Sequence, residues 1–276
     1  MELYQILLLS LGGALLLAFA LWLFLIAPRV RRKRALRPFL RPYAHRGLWG
    51  EGVPENSLEA FRLAAEQGFA IELDIQLSSD GEVMVFHDYT LTRMCGNDAH
   101  LSALSAARLA ECHLNGTDQT VPTLRQVLDT VGGRVPLLIE LKGESFSTAL
   151  VPAALAVLAD YAGEWCMESF NPLLLRAVKK QAPHVVRGLL VTDLLRDKKE
   201  GSKARNFLLS AMLLNLLARP DFIAWNEKYP HSVSRFVACR WFGAGSLCYT
   251  VRDPARYRAH VEKKTYPIFE GFRPEA

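Results

Sequence analysis

The stretch Ala70-Ile71-Glu72-Leu73-Asp74-Ile75 alternates aliphatic and acidic residues. A strand has a side-chain period of two, so Glu72 and Asp74 share one face and Ile71, Leu73 and Ile75 the other. Leu138-Ile139-Glu140-Leu141-Lys142 repeats the pattern, with Glu140 and Lys142 on one face. Two acids on an inward face repel each other and lose hydration unless a cation lies between them. Three carboxylates without Cys or His at ligand spacing suit a hard cation, Mg²⁺ or Ca²⁺. From these strands alone, a buried Glu140–Lys142 ion pair with Glu72 and Asp74 at a strand edge is an equal alternative.

His45-Arg46-Gly47 and His87-Asp88 close two further strand-like runs. Two imidazoles, each ending a strand beside inward acids, suit a general acid and a general base acting in one displacement. Arg46 adds a fork of donors matched to phosphate oxygens, and Gly47 lets the backbone approach closely. A divalent ion would stabilise charge developing on phosphoryl oxygens.

Positioning these side chains requires many short strands. Candidates are 43–45, 70–77, 83–87, 136–142, 165–169, 185–191, 222–225 and 247–251, with amphipathic segments at 57–67, 124–131, 147–161, 173–181 and 253–263. About eight strands alternating with helices predict a (β/α)8 TIM barrel, with a doubly wound open sheet as the alternative. Asn56 and Glu59 read as a capping-box start of the 57–67 helix and Gly68 as its stop. One connection breaks the alternation. Only five residues, 78–82, separate 70–77 from 83–87, and Asp80-Gly81 is a hairpin signal. A two-residue Asp80-Gly81 loop would set Asp74 opposite His87 and distort the barrel.

The net charge of +5 is uneven. Seven bases and no acid fall within residues 29–41 (Arg29, Arg31, Arg32, Lys33, Arg34, Arg37, Arg41). The chain beyond is nearly neutral, so a nucleic-acid partner is not implied. Before the basic run, Ile6 to Ala27 carries no charge and ends at Pro28, long enough to cross a bilayer. Ala18-Phe19-Ala20 imitates a signal-peptidase site, but no basic region precedes the apolar run. The reading is a single-pass membrane protein, with transmembrane helix 1–28, basic juxtamembrane linker 29–41 and catalytic domain 42–276. Basic residues directly after the span place that domain in the cytoplasm and suit anionic headgroups. Five cysteines, odd in number and without CxxC spacing, fit reduced thiols better than a disulfide framework or zinc site.

Taken in order, His45-Arg46-Gly47, Pro54-Glu55-Asn56-Ser57 with Ala60-Phe61, Glu72-Leu73-Asp74, Asp80-Gly81, His87-Asp88, Leu91-Thr92-Arg93 and Glu140-Leu141-Lys142 resemble the glycerophosphodiester phosphodiesterase family. The likeness is strong over residues 43–142 and weaker through Glu168-Ser169-Phe170-Asn171 and Tyr249-Thr250-Val251. It implies a distorted barrel with one divalent cation, Mg²⁺ or Ca²⁺, held by Glu72, Asp74 and Glu140. It further implies His45 and His87 as the acid/base pair, Arg46 and Lys142 on the phosphate, and Glu55 in support. The implied reaction releases glycerol 3-phosphate and an alcohol from a glycerophosphodiester. In some members it is lysophospholipase D action on a lysophospholipid.

Two features depart from the family pattern. Its usual Gly-x-Asp-Gly-Ile-x-Thr-Asp ending is replaced by Tyr266-Pro267-Ile268-Phe269-Glu270-Gly271-Phe272, which leaves closure of the last strand open. Tyr249 stands where the family has tryptophan. Residues 207–218 are apolar nearly all round but too short to span. They read either as a deep barrel helix or as an interfacial helix that guides lipid from the membrane to the mouth. Alternative functions are a phosphatidylinositol phospholipase C-like phosphodiesterase and a catalytically silent lipid-binding protein.

Overall fold

The computed structural model describes residues 2–29, 33–143 and 146–274. Arg31 and Arg32 of the basic run lie outside the described residues, as does the Lys33 side chain. The strands are β1 (Tyr43–His45), β2 (Ala70–Leu77), β3 (Val83–Val85), β4 (Leu137–Leu141), β5 (Trp165–Ser169), β6 (Arg187–Val191), β7 (Phe222–Asn226), β8 (Gly245–Val251) and β9 (Tyr266–Phe269). The helices of eight residues or more are α1 (Leu3–Ile26), α2 (Leu58–Glu66), α3 (Leu124–Val131), α4 (Leu150–Leu158), α5 (Pro172–Gln181), α6 (Lys203–Ser210), α7 (Val233–Arg240) and α8 (Pro254–Glu262).

Eight parallel strands close a barrel in the order β1-β2-β4-β5-β6-β7-β8-β9, and β9 pairs back onto β1. This is the expected TIM barrel with its apolar N-terminal helix. The strand count needs one correction. The segment after the 78–82 loop is β3, an antiparallel addition on the flank of β2, and the eighth barrel strand is the Tyr266–Phe269 tail. The closing strand therefore forms despite the unusual ending.

The hairpin register also differs from expectation. Ile75 pairs with Val85 and Leu77 with Val83, which sets Asp74 opposite Phe86, not His87. The Phe86 amide donates to the Asp74 carbonyl at 2.9 Å. The loop has three residues, 79–81, because Gly81 takes the left-handed conformation at φ 85° and adds one residue to the turn. The cap of α2 is likewise one residue later than expected. The Ser57 hydroxyl accepts the Ala60 amide, while Asn56, at φ 54°, is spent on the site described below.

Packing follows the period of two. Ile71, Leu73 and Ile75 of β2, with Ile139 and Leu141 of β4, face outward onto α2, α3 and α4. Tyr43, Ala70, Leu138, Cys166, Leu247 and Ile268 fill the barrel interior, where Leu36 and Phe39 close the bottom from the segment before β1. The apolar 207–218 stretch is neither wholly buried nor wholly exposed. Phe207 and Leu208 on α6 are exposed, whereas Met212, Asn215 and Ala218 are buried around the short helical turn Asn215–Ala218.

Helix α1 is long and apolar enough to cross a membrane, and its described residues are exposed over nearly their whole length. Its last turn is tied to the barrel. The Asn215 side-chain amide donates to the Ile26 carbonyl at 2.9 Å, and Arg219 donates to the carbonyls of Phe24 and Ala27 at 2.9 Å each. The Arg219 guanidinium also stacks 4.7 Å over the Phe24 ring. Terminal carbonyls that a helix cannot satisfy internally thus find donors on the barrel.

Candidate active site

The barrel interior changes character two residues up each of five strands. Tyr43, Ala70, Leu138, Cys166 and Ile268 belong to the apolar interior, and His45, Glu72, Glu140, Glu168 and Glu270 follow them on the same faces. Strand alternation therefore builds a polar mouth directly on an apolar floor. A cavity of about 400 Å³ lies there, lined by His45, Arg46, Glu72, His87, Glu140 and Lys142 among others.

Glu72, Asp74 and Glu140 each offer a carboxylate oxygen within 4.8 Å of the others. The β2–β4 register sets Asp74 beside Glu140, and all three residues are buried. Asn56 donates to Asp74 Oδ2 at 2.9 Å, and the Arg46 backbone amide to Glu72 Oε2 at 3.1 Å. Arg46 can do so because its backbone sits at φ 59°, with Gly47 following at φ 85° against the Ala60 backbone. Burial, together with the charges of Asp74 and Glu140, pushes the Glu72 carboxyl well up. Burial likewise pushes Glu140 up to about 7, against the pull of Lys142. Asp74 is held well below the usual carboxylate range, because Lys142 and Arg46 outweigh its burial. This is a cluster short of positive charge. A hard, oxygen-seeking divalent cation fits that donor set. Glu168, which sequence reasoning did not assign, reinforces the fit. It is buried beside Glu140, its Oε2 has no hydrogen-bond partner among the described residues, and burial drives its carboxyl strongly up.

One half of the open alternative occurs and the other does not. Lys142 Nζ sits 2.9 Å from Glu140 Oε1 and 3.0 Å from Asp74 Oδ1, so the Glu140–Lys142 pair is real. It exists within the acidic cluster, and Glu72 and Asp74 line the interior instead of standing at an exposed edge.

His45 has one ring nitrogen occupied. Its Nδ1 pairs with Glu270 Oε2, and its Nε2 lies 3.9 Å from Glu72 Oε2. Burial lowers the His45 pKa despite the Glu270 bond. Glu270 resists its own burial through His45 and Arg252 and is held at about 2. His87 uses Nδ1 on Asp88 Oδ1 at 2.6 Å, and burial lowers its pKa as well. Arg93 links Asp88 to Glu55, and Glu55 in turn holds Arg46 at 2.7 Å. Gln76 braces the histidine segment by donating to the carbonyls of Phe86, His87 and Asp88. Every sequence-predicted site residue thus lies at one mouth. Glu270, Glu168, Asn56, Asp88 and Arg93 were not assigned beforehand.

Tyr249 forms part of the cavity wall, packing edge-on to Phe170 with ring centroids 5.9 Å apart. A second group, Glu227, Cys248 and His260, converges outside the barrel, but there Arg256 already pairs with Glu227 at 2.8 Å.

The profile of the Glycerophosphoryl diester phosphodiesterase family matches residues 45–268. Over 158 residues the chain is 33% identical to a glycerophosphodiester phosphodiesterase of Caldanaerobacter subterraneus subsp. tengcongensis, covering 53% of this chain and 65% of that protein. Over 147 residues it is 33% identical to a lysophospholipase D of Rattus norvegicus, covering 48% and 45% respectively. The chain thus spans less than two thirds of these relatives' length. Among solved structures, a glycerophosphodiester phosphodiesterase from Thermotoga maritima superposes with TM-score 0.63 at 26% identity, covering 83% of this chain and 92% of that one. A phosphodiesterase of Oleispira antarctica, solved with its product sn-glycerol-3-phosphate, has the same fold at TM-score 0.69 and 24% identity, over 83% and 92%.

Proposed function

The chain belongs to the glycerophosphoryl diester phosphodiesterase family, and on that premise we propose that it hydrolyses glycerophosphodiesters to glycerol 3-phosphate and an alcohol with the help of Mg²⁺ or Ca²⁺. The observation that carries this reading is the convergence of Glu72, Asp74 and Glu140 with two histidines, each with Nδ1 occupied, around one cavity.

Glu72, Asp74 and Glu140 would hold the ion. When bound, it would neutralise a phosphoryl oxygen and stabilise charge developing there. Arg46 and Lys142 hold the remaining phosphate oxygens. His45, oriented by Glu270, takes the proton from the attacking hydroxyl, either water or the adjacent glycerol hydroxyl. His87, oriented by Asp88, returns a proton to the leaving alkoxide as the P–O bond to the alcohol breaks. Glu55 positions Arg46 by a salt bridge and is tied through Arg93 to Asp88.

Helix α1 acts as a retained single-pass anchor, and residues 29–41 contact anionic headgroups. Bases directly after the span favour a cytoplasmic barrel. Tethered in this way, the site would meet lysophospholipids as well as soluble diesters.

The test is a panel of glycerophosphocholine, glycerophosphoethanolamine, lysophosphatidylcholine and lysophosphatidylglycerol, assayed with and without EDTA. Glycerol 3-phosphate or lysophosphatidate, released only with the divalent ion present, is the expected product. Inositol phosphate from a phosphoinositide would instead support the phospholipase C-like alternative. No turnover of any substrate would support the silent lipid-binding one.

A further inference from the structure

An apolar groove of about 600 Å³ opens beside the catalytic cavity and shares His87, Glu140, Lys142 and Phe170 with it. Away from these residues its walls are mostly apolar, with Phe146, Leu173, Leu209, Leu214 and Leu217, although Asp88, Asn171 and Arg205 also reach it. Phe146 is 89% exposed, an aromatic ring left in water at the groove's rim. A soluble glycerophosphodiester offers nothing apolar to such a surface, whereas burial of each methylene there is favourable. A substrate that carries an acyl chain would fill such a groove.

The groove also leads toward the anchor. Leu214 and Leu217 line it, and Asn215, between them, binds the Ile26 carbonyl at the end of α1. Arg219, at the end of the same helical turn, grips Phe24 and Ala27. One helical turn thus joins the groove to the point where the apolar helix ends. A lipid leaving the surface at that point would meet leucine side chains before it met the catalytic mouth.

We propose that this groove is the binding site for the acyl chain of a single-chain lipid phosphodiester drawn from the membrane, with the glycerophosphoryl end at Glu140 and Lys142. It rests on the reading of the cavity as a phosphodiesterase centre. The groove adds chain recognition to that centre and makes Leu209, Leu214 and Phe146 determinants of specificity.

The full chain in nanodiscs, loaded with Mg²⁺, tests the proposal on two substrates with one headgroup, palmitoyl-lysophosphatidylcholine and glycerophosphocholine. The variants are Leu209→Lys within the groove and Phe146→Asp at its exposed rim, where folding is not at stake. Expected is a loss of about tenfold or more in kcat/KM on the lysolipid, with glycerophosphocholine turnover within about twofold of wild type. Equal losses on both substrates, or none on either, would overturn the groove and leave the phosphodiesterase reading standing. A second arm does not depend on turnover. In EDTA, a lysophosphatidylcholine carrying a diazirine near the end of its chain is photolysed, and labelled peptides are mapped. Label on residues 170–173 and 209–217, lost in Leu209→Lys, supports the site. Label elsewhere overturns it even if neither substrate is cleaved.

Discussion

Glu270 pairs with His45 across the barrel seam, 225 positions apart in sequence. The β1–β9 register aligns Tyr43 with Ile268, and two residues further along each strand come His45 and Glu270. The carboxylate fixes which imidazole nitrogen is committed and leaves Nε2 for chemistry. Glu270→Gln should therefore lower kcat by roughly 10–100-fold, as loss of an orienting carboxylate behind an imidazole does. Glu270 also raises the His45 pKa against burial. Its removal lets that pKa fall, so the acidic limb of the kcat/KM profile should move to lower pH. A pH–rate profile with an unmoved limb would count against His45 as the base.

The two histidines should not be interchangeable with alanine. His45→Ala and His87→Ala are each expected to reduce turnover by ~10²–10⁴-fold. Circular dichroism and thermal melts should show a folded protein in both cases, since both rings are at the mouth and not in the apolar interior. Full activity in His87→Ala would remove it from the acid role.

Cation binding should depend on pH with a definite sign. In the ion-free protein, burial holds Glu140 at about 7, so it carries a proton at pH 5, and burial also pushes Glu72 toward its protonated form. A cation must displace those protons at pH 5 but finds fewer of them at pH 8. These raised pKa values also mean that, between the ordinary carboxylate pKa and about 7, the folded state binds more protons than the unfolded one. That contribution to stability falls as pH rises through the window. The increase in Tm caused by Mg²⁺ or Ca²⁺ should accordingly be larger at pH 8 than at pH 5. Equal increments would argue against Glu72 and Glu140 as ligands.

Much of this site was readable in advance because strand alternation is strict. Alternation alone puts Glu72 with Asp74, and Glu140 with Lys142, on one face of each strand, and the family resemblance is what points those faces at the barrel mouth. Glu270 follows the same rule, two residues beyond Ile268, but Pro267 in the run and the missing family ending hid the strand that carries it. Glu168 stood at the end of a recognised strand, yet only the β4–β5 register shows that it meets Glu140. The hairpin was misjudged by one residue, since whether Gly81 lies within a two-residue turn or adds to it depends on backbone geometry that a dipeptide does not specify. Asn56 looked like a helix cap because its side chain suits one. Its actual partner, Asp74, comes near only when β2 folds against the loop after β1.

Gly47 tests whether backbone shape at the mouth matters as much as charge. It sits at φ 85°, and a Cβ there would stand 2.8 Å from the Ala60 backbone. Gly47→Ala must shift the loop that aims Arg46 at Glu72. A destabilisation of about 1–3 kcal/mol is expected, together with a rise in KM as the Arg46 fork leaves the phosphate position. Unchanged KM and Tm would show that the loop tolerates the shift.

The end of α1 offers a test of whether the barrel is held or merely tethered. Arg219 supplies two hydrogen bonds to helix carbonyls and a guanidinium face to Phe24. Hydrogen bonds from a charged donor contribute about 1.5–3 kcal/mol each when well placed. Part of that is lost to solvent here, because the bond to Phe24 is exposed. Arg219→Ala should then raise the opening equilibrium at residues 24–29 by roughly 10–100-fold, from a net loss of about 1–3 kcal/mol. Hydrogen exchange of the Arg29 amide, which donates to the Pro220 carbonyl at 2.8 Å, reports that opening directly. Protease cleavage near Arg29 gives an independent reading. Glycerophosphocholine turnover should stay near wild type, since Arg219 lines neither the catalytic cavity nor the groove. If exchange at Arg29 is unchanged, Asn215 and the buried Ile26 hold the helix end without Arg219.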